Sequence, residues 1–181
     1  MIAFFMHKDV ERILVSEDVI QHRIDALAKE VLAKGKDNIM IVILLKGALV
    51  FAADLFRRMP VMLDVECLNV SSYHGGLESS GEVKFLDAKM PDFQGKRVVV
   101  VDDIFDTGLT MKSVCGKIRE SNALSVESCV LLSKDKEREI DCEPDYVGFM
   151  IGDEFVIGYG LDYRGKYRNL PYIGILSSEA I

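Results

Sequence analysis

The chain has 181 residues, 49% of them hydrophobic and 28% charged, with a formal net charge of −7. That length fits one domain, residues 1–181, with enough chain for a sizeable core. The negative balance argues against nonspecific nucleic-acid or membrane-surface binding, so an anionic ligand must be held by local groups.

The apolar stretch from Met1 to Met6 is short and lacks both a basic leader and a cleavage site, so it does not read as a signal peptide. Ser16 is placed to cap a helix with Glu17 and Asp18 in its first turn, where the helix dipole favours them. Ile20, Ile24, Leu27, Val31 and Leu32 supply the apolar stripe, and Gly35 stops it. The run from Ile39 to Leu45 predicts a buried strand, far shorter than the roughly 20 residues of a membrane span. Lys46-Gly47 ends it, and a helix is predicted from about Ala48 to Met59, stopped by Pro60.

Leu63, Val65 and Cys67 alternate with Asp64 and Glu66, the pattern of a half-buried strand running to about Ser71. The following stretch from Ser72 and Tyr73 to Gly81 is rich in Gly and Ser, and reads as a surface loop or an active-site lid. A short strand from Val83 to Leu86 pairs back, and Met90 to Gly95 is a turn.

The centre of the chain is Val98-Val99-Val100-Val101-Asp102-Asp103-Ile104-Phe105-Asp106-Thr107-Gly108-Leu109-Thr110. Four consecutive valines predict a strand buried on both faces, as in a parallel sheet. The two carboxylates are read as stopping that strand at its carboxyl end, where open parallel sheets bind ligands. A small polar loop follows, and Met111, Val114, Cys115 and Ile118 then recur at helical spacing. Asp106, Thr107 and Thr110 bring side-chain oxygens, Gly108 allows a positive φ, and unpaired N–H groups at the helix start can cradle a phosphate. Two carboxylates beside a phosphate make sense if they hold sugar hydroxyls or a Mg²⁺ ion that also touches the substrate. The loop therefore points to a phosphorylated sugar with Mg²⁺. The plainer alternative makes Asp106 or Thr107 only an N-cap. A Walker-B reading is rejected, because the nearest glycine-rich loop, Gly76 to Val83, has Glu and Val where Lys and Ser/Thr must stand.

Strands are predicted from Ser125 to Ser133 and from Tyr146 to Ile151, with the charge run of residues 134–141 between them as a solvated loop. The tail from Phe155 is dense in Gly, Tyr, Asp and Arg and ends in Ile173 to Leu176. Cys67, Cys115, Cys129 and Cys142 form no C-x-x-C pair and read as reduced thiols, and His7, His22 and His74 form no ligand motif. Strands alternating with helices predict an α/β fold with a mostly parallel sheet, its terminal segments forming a small cap.

The central stretch resembles the phosphoribosyl-diphosphate (PRPP) signature of purine phosphoribosyltransferases, and nearly the whole chain is similar to the hypoxanthine–guanine phosphoribosyltransferase family. The resemblance implies a type I phosphoribosyltransferase fold: a core of about residues 36–150, a hood from about 1–15 and 151–181, and a flexible loop beginning at Ser72 and Tyr73. Leu44-Leu45-Lys46-Gly47-Ala48 resembles the family's diphosphate loop. There a cis peptide, here between Leu45 and Lys46, turns an N–H toward the diphosphate.

By that resemblance, Asp102, Asp103, Asp106, Thr107, Gly108, Leu109 and Thr110 bind PRPP, and Lys46, Gly47 and Arg168 bind its diphosphate. Asp106 is the catalytic residue. Lys134 meets the purine 6-oxo group, Phe155 stacks on the base, the backbone of Val156 meets its edge, and Asp162 serves the base and a second metal. Asp102, Asp103 and Asp162 are the expected Mg²⁺ ligands. The commoner family pattern has Glu-Asp after the valines, so Asp102-Asp103 is one methylene short at its first position.

The implied reaction joins hypoxanthine or guanine to PRPP, giving IMP or GMP and diphosphate, in a cytoplasmic homodimer or homotetramer that binds neither nucleic acid nor membrane. A xanthine-preferring enzyme is the near alternative. A nucleotide-sensing regulator on the same fold is the distant one, and acidic Asp106 argues against it.

Overall fold

The structure is a computed structural model that describes residues 6–72, 83–86, 89–138 and 140–180. Tyr73 and most of the proposed loop lie outside the described residues.

A first strand, β1 (Val10–Val15), leads into helix α1 (Glu17–Ala33). Strand β2 (Ile39–Leu45) spans the residues its apolar run predicts, and helix α2 (Leu49–Phe56) follows it. Then come β3 (Leu63–Ser72), β4 (Val83–Phe85), β5 (Arg97–Phe105) and helix α3 (Leu109–Arg119). The chain closes with β6 (Ser125–Lys134), β7 (Tyr146–Ile151), β8 (Val156–Ile157) and β9 (Ile173–Leu176).

The main sheet has the order β4-β3-β2-β5-β6-β7. All its pairings are parallel except β3 with β4. Strand β5 lies inside it, which is why a run of valines suits it. Val99 and Val101 join Ile39, Ile41 and Ile43 in one core cluster with α1 and α2. Val98 and Val100 join Met40, Val42 and Leu44 in the opposite cluster, with Met111, Val114 and Ile118 of α3. Helices thus cover both faces of the sheet.

A second, antiparallel sheet has the order β1-β9-β8. It joins the two ends of the chain, and Val15, Val156, Ile173 and Ile175 pack into the same core as α1 and α2. Strand β1 was not expected. Its exposed and buried residues are split by two register shifts against β9, which blurs the period-two pattern.

Several expectations are corrected. Ser16 stands at the N-cap of α1, but its hydroxyl donates to Asp18 instead of accepting from the helix backbone. Helix α2 ends at Phe56, three residues early, and residues 57–59 form tighter turns. In β3, Val65 and Cys67 are exposed and Leu68 is the buried residue, because β4 pairs only with the last part of β3, from Val70 to Ser72. The acidic pair does not stop β5. The strand continues through Asp102 and Asp103 to Phe105, still paired with β6. Among the described residues, no helix is long and apolar enough to cross a membrane.

Candidate active site

The pairing of β5 with β2 ends at Ile43 and Val101, whereas its pairing with β6 runs on to Phe105 and Ser133. The gap opens beside Asp102 and Asp103. There the N–H of Asp103 donates to Asp102 Oδ1 at 3.0 Å, and the N–H of Ile104 to Asp103 Oδ1 at 3.0 Å. Side chains replace the missing neighbour strand as acceptors, so the backbone stays satisfied at an open edge. Side-chain alternation also slips here: Val98, Val100 and Phe105 reach the α3 cluster, while Val99, Val101 and Ile104 meet the other.

Burial pushes the Asp102 carboxyl well above its usual range, and the adjacent Asp103 charge adds to the rise. Burial also raises Asp103. Two desolvated carboxylates side by side are a poor arrangement for two bare charges and a good one for a hard cation. The described residues offer no group of three or more metal-ligating side chains. A Mg²⁺ ion here would therefore complete its shell with water and substrate oxygens, as this ion usually does.

The cis peptide expected between Leu45 and Lys46 is present. Gly47 behind it packs against Asp103 so closely that a Cβ on Gly47 would lie 1.7 Å from Asp103 Oδ2. On its other side, a Cβ on Gly160 would lie 2.2 Å from Gly47 O. The Lys46-Gly47 turn is thus held between the acidic pair and Gly160.

Helix α3 begins at Leu109, and its N-cap is Gly108 at φ +80°, with no side chain to cap the first turn. Neither Asp106 nor Thr107 fills the N-cap position, although Thr107 Oγ1 accepts a long bond from Leu109 N, at 3.4 Å. The first-turn N–H groups beyond Leu109 can therefore meet a ligand.

Two clefts meet at this edge. One, of about 280 Å³, is lined by Leu45, Gly47, Asp102, Thr107, Gly108 and Thr110 among others. The second, of about 230 Å³, is lined by Lys134, Glu154, Phe155, Val156, Leu161 and Asp162. Asp103, Ile104 and Asp106 line both. Phe155 is 48% exposed and its ring meets Tyr163 edge-on at 5.5 Å, so its face can take a flat ligand.

Three of the cationic side chains at the site are already paired with carboxylates. Lys134 Nζ donates to Asp153 at 3.0 Å, and that hydrogen bond, with the lysine charge behind it, holds the Asp153 carboxyl below its usual range. Arg168 Nη2 meets Asp162 Oδ1 at 2.6 Å, and Arg168 Nη1 donates to Gly160 O at 2.6 Å. The ammonium of Lys136 meets Asp106 Oδ1 and shields it from solvent.

Most of the residues expected from the sequence converge here. The exceptions are informative. The side chain of Lys46 is exposed, and neither Lys46 nor Leu109 lines a cleft. Arg168 reaches the site through Asp162 and Gly160 without lining a cleft. Ser72 ends β3 opposite Val83. Sequence reasoning missed Ile104, Lys136 and Arg138. Ile104 is apolar and lies in a strand, and the last two sit in a charged run that resembles a solvated loop. Arg138, only 8% exposed, breaks that reading.

The chain matches the phosphoribosyl transferase domain family over residues 10–164. It is 43% identical over 175 residues to the hypoxanthine-guanine phosphoribosyltransferase of Staphylococcus epidermidis, covering 96% of this chain and 98% of that one. The solved structure of a hypoxanthine phosphoribosyltransferase from Staphylococcus aureus superposes with a TM-score of 0.91 at 39% identity, covering 99% of this chain and 98% of that chain. A hypoxanthine phosphoribosyltransferase from Trypanosoma cruzi, solved with its product IMP, gives a TM-score of 0.90 at 36% identity, covering 98% of this chain and all of that chain.

Proposed function

The chain belongs to the phosphoribosyltransferase family, on its hypoxanthine–guanine branch, and from that premise we propose that it transfers the 5-phosphoribosyl group of PRPP to a 6-oxopurine. Hypoxanthine or guanine is the acceptor, and IMP or GMP and diphosphate are the products. The observation that carries this reading is the shared wall of Asp103, Ile104 and Asp106 between the two clefts. A two-substrate transfer needs its reacting atoms to meet at such a seam.

PRPP lies in the first cleft. Its 5-phosphate accepts from the N–H groups at the start of α3, which follow the uncapped Gly108. Asp102 and Asp103 face the ribose hydroxyls and would hold Mg²⁺ between themselves and PRPP, with Asp162 as the candidate for a second ion. Bound there, Mg²⁺ supplies positive charge where the leaving diphosphate gains negative charge. The N–H groups of Lys46 and Gly47 and the guanidinium of Arg168 act on the same oxygens. Arg168 must loosen its grip on Asp162 to do so.

The purine lies in the second cleft. Phe155 stacks on its face, the backbone of Val156 meets its edge, and Lys134 leaves Asp153 to donate to the 6-oxygen. Asp106 faces N7 and takes or returns a proton there as N9 bonds to C1′. Lys136 pairs with one oxygen of that carboxylate and must move first.

The test is direct. The protein is mixed with PRPP, Mg²⁺ and each nucleobase in turn, and the nucleotide formed is identified by mass. IMP or GMP is expected. XMP as the main product would instead make the enzyme xanthine-preferring, and no nucleotide from any base would reduce the site to a sensor.

A further inference from the structure

Arg138 sits in what reads as a solvated charge run, yet its side chain is only 8% exposed. Its Nε donates to Asp106 O at 3.0 Å. Its Nη2 donates to Ser133 Oγ at 3.1 Å and also to Lys134 O. Nη1 meets Glu143 at 3.0 Å, and the guanidinium lies 4.7 Å from the centre of the Phe105 ring. One rigid, planar cation therefore holds the backbone of Asp106, just past the end of β5, and the backbone of Lys134, at the end of β6. The β5–β6 pairing stops at Phe105 and Ser133, and beyond it Arg138 bridges the two strand ends, while Lys134 also pairs with Ile151 of β7.

We propose that Arg138 is the positioning residue that sets the spacing between Asp106 and Lys134, and through it the choice of a 6-oxopurine. The inference rests on the reading that Asp106 faces N7 and Lys134 the 6-position. These are neighbouring positions on one rigid bicyclic ligand. Two protein groups that must reach them together need a fixed separation, and a misplacement of about 1 Å can cost about 10²-fold in rate. A planar guanidinium spanning both carbonyls supplies that constraint. A lysine ammonium, a single point with three donors, cannot span them in the same geometry.

The test compares Arg138→Lys and Arg138→Met with wild type and with Lys134→Gln. Folding is checked first by circular dichroism and thermal unfolding; Arg138→Lys retains a cation over Phe105 if Arg138→Met proves too unstable. The readouts are PRPP affinity with Mg²⁺ by calorimetry, and kcat/KM for hypoxanthine and for adenine. In Arg138→Lys, kcat/KM for hypoxanthine should fall by about 10²-fold. Adenine should lose less, so the ratio of the two bases narrows, while PRPP affinity stays within a few-fold. If both bases lose equally, or PRPP affinity collapses in parallel, Arg138 merely supports the fold and the proposal is overturned. An unchanged kcat/KM in the folded variant also overturns it. If Lys134→Gln narrows the ratio and Arg138→Lys does not, the positioning role alone fails. If neither narrows it, the assignment of Lys134 to the 6-position fails and takes this inference with it.

Discussion

Gly47 and Asp103 lie so close that the smallest side chain on Gly47 would fall 1.7 Å from Asp103 Oδ2. No real pair of atoms tolerates that, so one of the two must give way. Gly47 is wedged on its far side by Gly160, whose own Cβ would meet Gly47 O at 2.2 Å. The carboxylate is therefore the group that moves. Gly47→Ala should leave a folded protein that has lost PRPP turnover, by about 10²-fold in kcat/KM for PRPP. Steady-state kinetics beside a thermal unfolding curve checks this, and a fully active Ala variant would show that the close approach is not needed.

Asp106→Asn keeps size and hydrogen-bonding capacity but removes the proton acceptor. General acid–base help is typically worth about 10²–10⁴-fold, so kcat should fall within that range. PRPP should still bind, because its proposed cradle is backbone N–H at the start of α3, which this substitution leaves in place. Single-turnover kinetics separates the chemical step from product release. An unchanged chemical rate would remove Asp106 from proton transfer.

Adenine should be a poor substrate because of Lys134. A lysine has donors only, and adenine offers a donor amine where hypoxanthine offers an acceptor oxygen. A site built to hydrogen-bond one group rejects an analogue lacking it by about 10⁴–10⁵-fold. With hypoxanthine, Lys134 exchanges Asp153 for the 6-oxygen; with adenine it must leave Asp153 for nothing. Lys134→Gln should narrow the gap, since an amide can turn its oxygen toward an amine. The check is kcat/KM for both bases on both proteins.

At the other end of the sheet, Arg97 anchors stability. Its guanidinium, 7% exposed, meets Glu127 Oε2 at 2.7 Å and donates to Gly35 O and Val31 O at 2.7 and 2.9 Å. Burial pushes the Glu127 carboxyl up, but hydrogen bonds from Arg97 and Tyr146 outweigh it, and the net shift is downward. A lowered carboxylate stabilises the fold above its unfolded pKa of about 4.3, and that contribution is lost as the pH falls through the folded value. Arg97→Met leaves Glu127 with the Tyr146 hydroxyl and Lys34 at 4.0 Å but without its buried ion partner, and should cost up to about 3–5 kcal/mol at neutral pH. The loss should shrink below about pH 4, where Glu127 is protonated in the variant. Urea unfolding at the two pH values tests both halves. A loss that stays constant with pH would separate Arg97 from the charge on Glu127.

The parts of this protein that depend on neighbours in sequence were legible before any coordinates. Four valines in a row can be satisfied only by burial on both faces, so β5 and its place inside the sheet followed from local chemistry. The apolar stripe of α3 and the glycine before it likewise announced a helix with an open N-terminus. The Asp106–Thr110 loop was legible for the same reason, since the residues proposed to hold PRPP are contiguous. Tertiary structure decided what depends on unlike neighbours. Strand β1 exists because β9 pairs with it, and Val65 is exposed because β4 is too short to cover it. The acidic pair stays in its strand because β6 continues beyond the end of β2. The fate of charged residues was least legible of all. Lys134, Lys136 and Arg138 lie in one polar run, and each could equally face water. Long flexible side chains take their positions from the partners they find, here Asp153, Asp106 and the carbonyls of two strand ends, and of these only the Lys134 carbonyl is near in sequence.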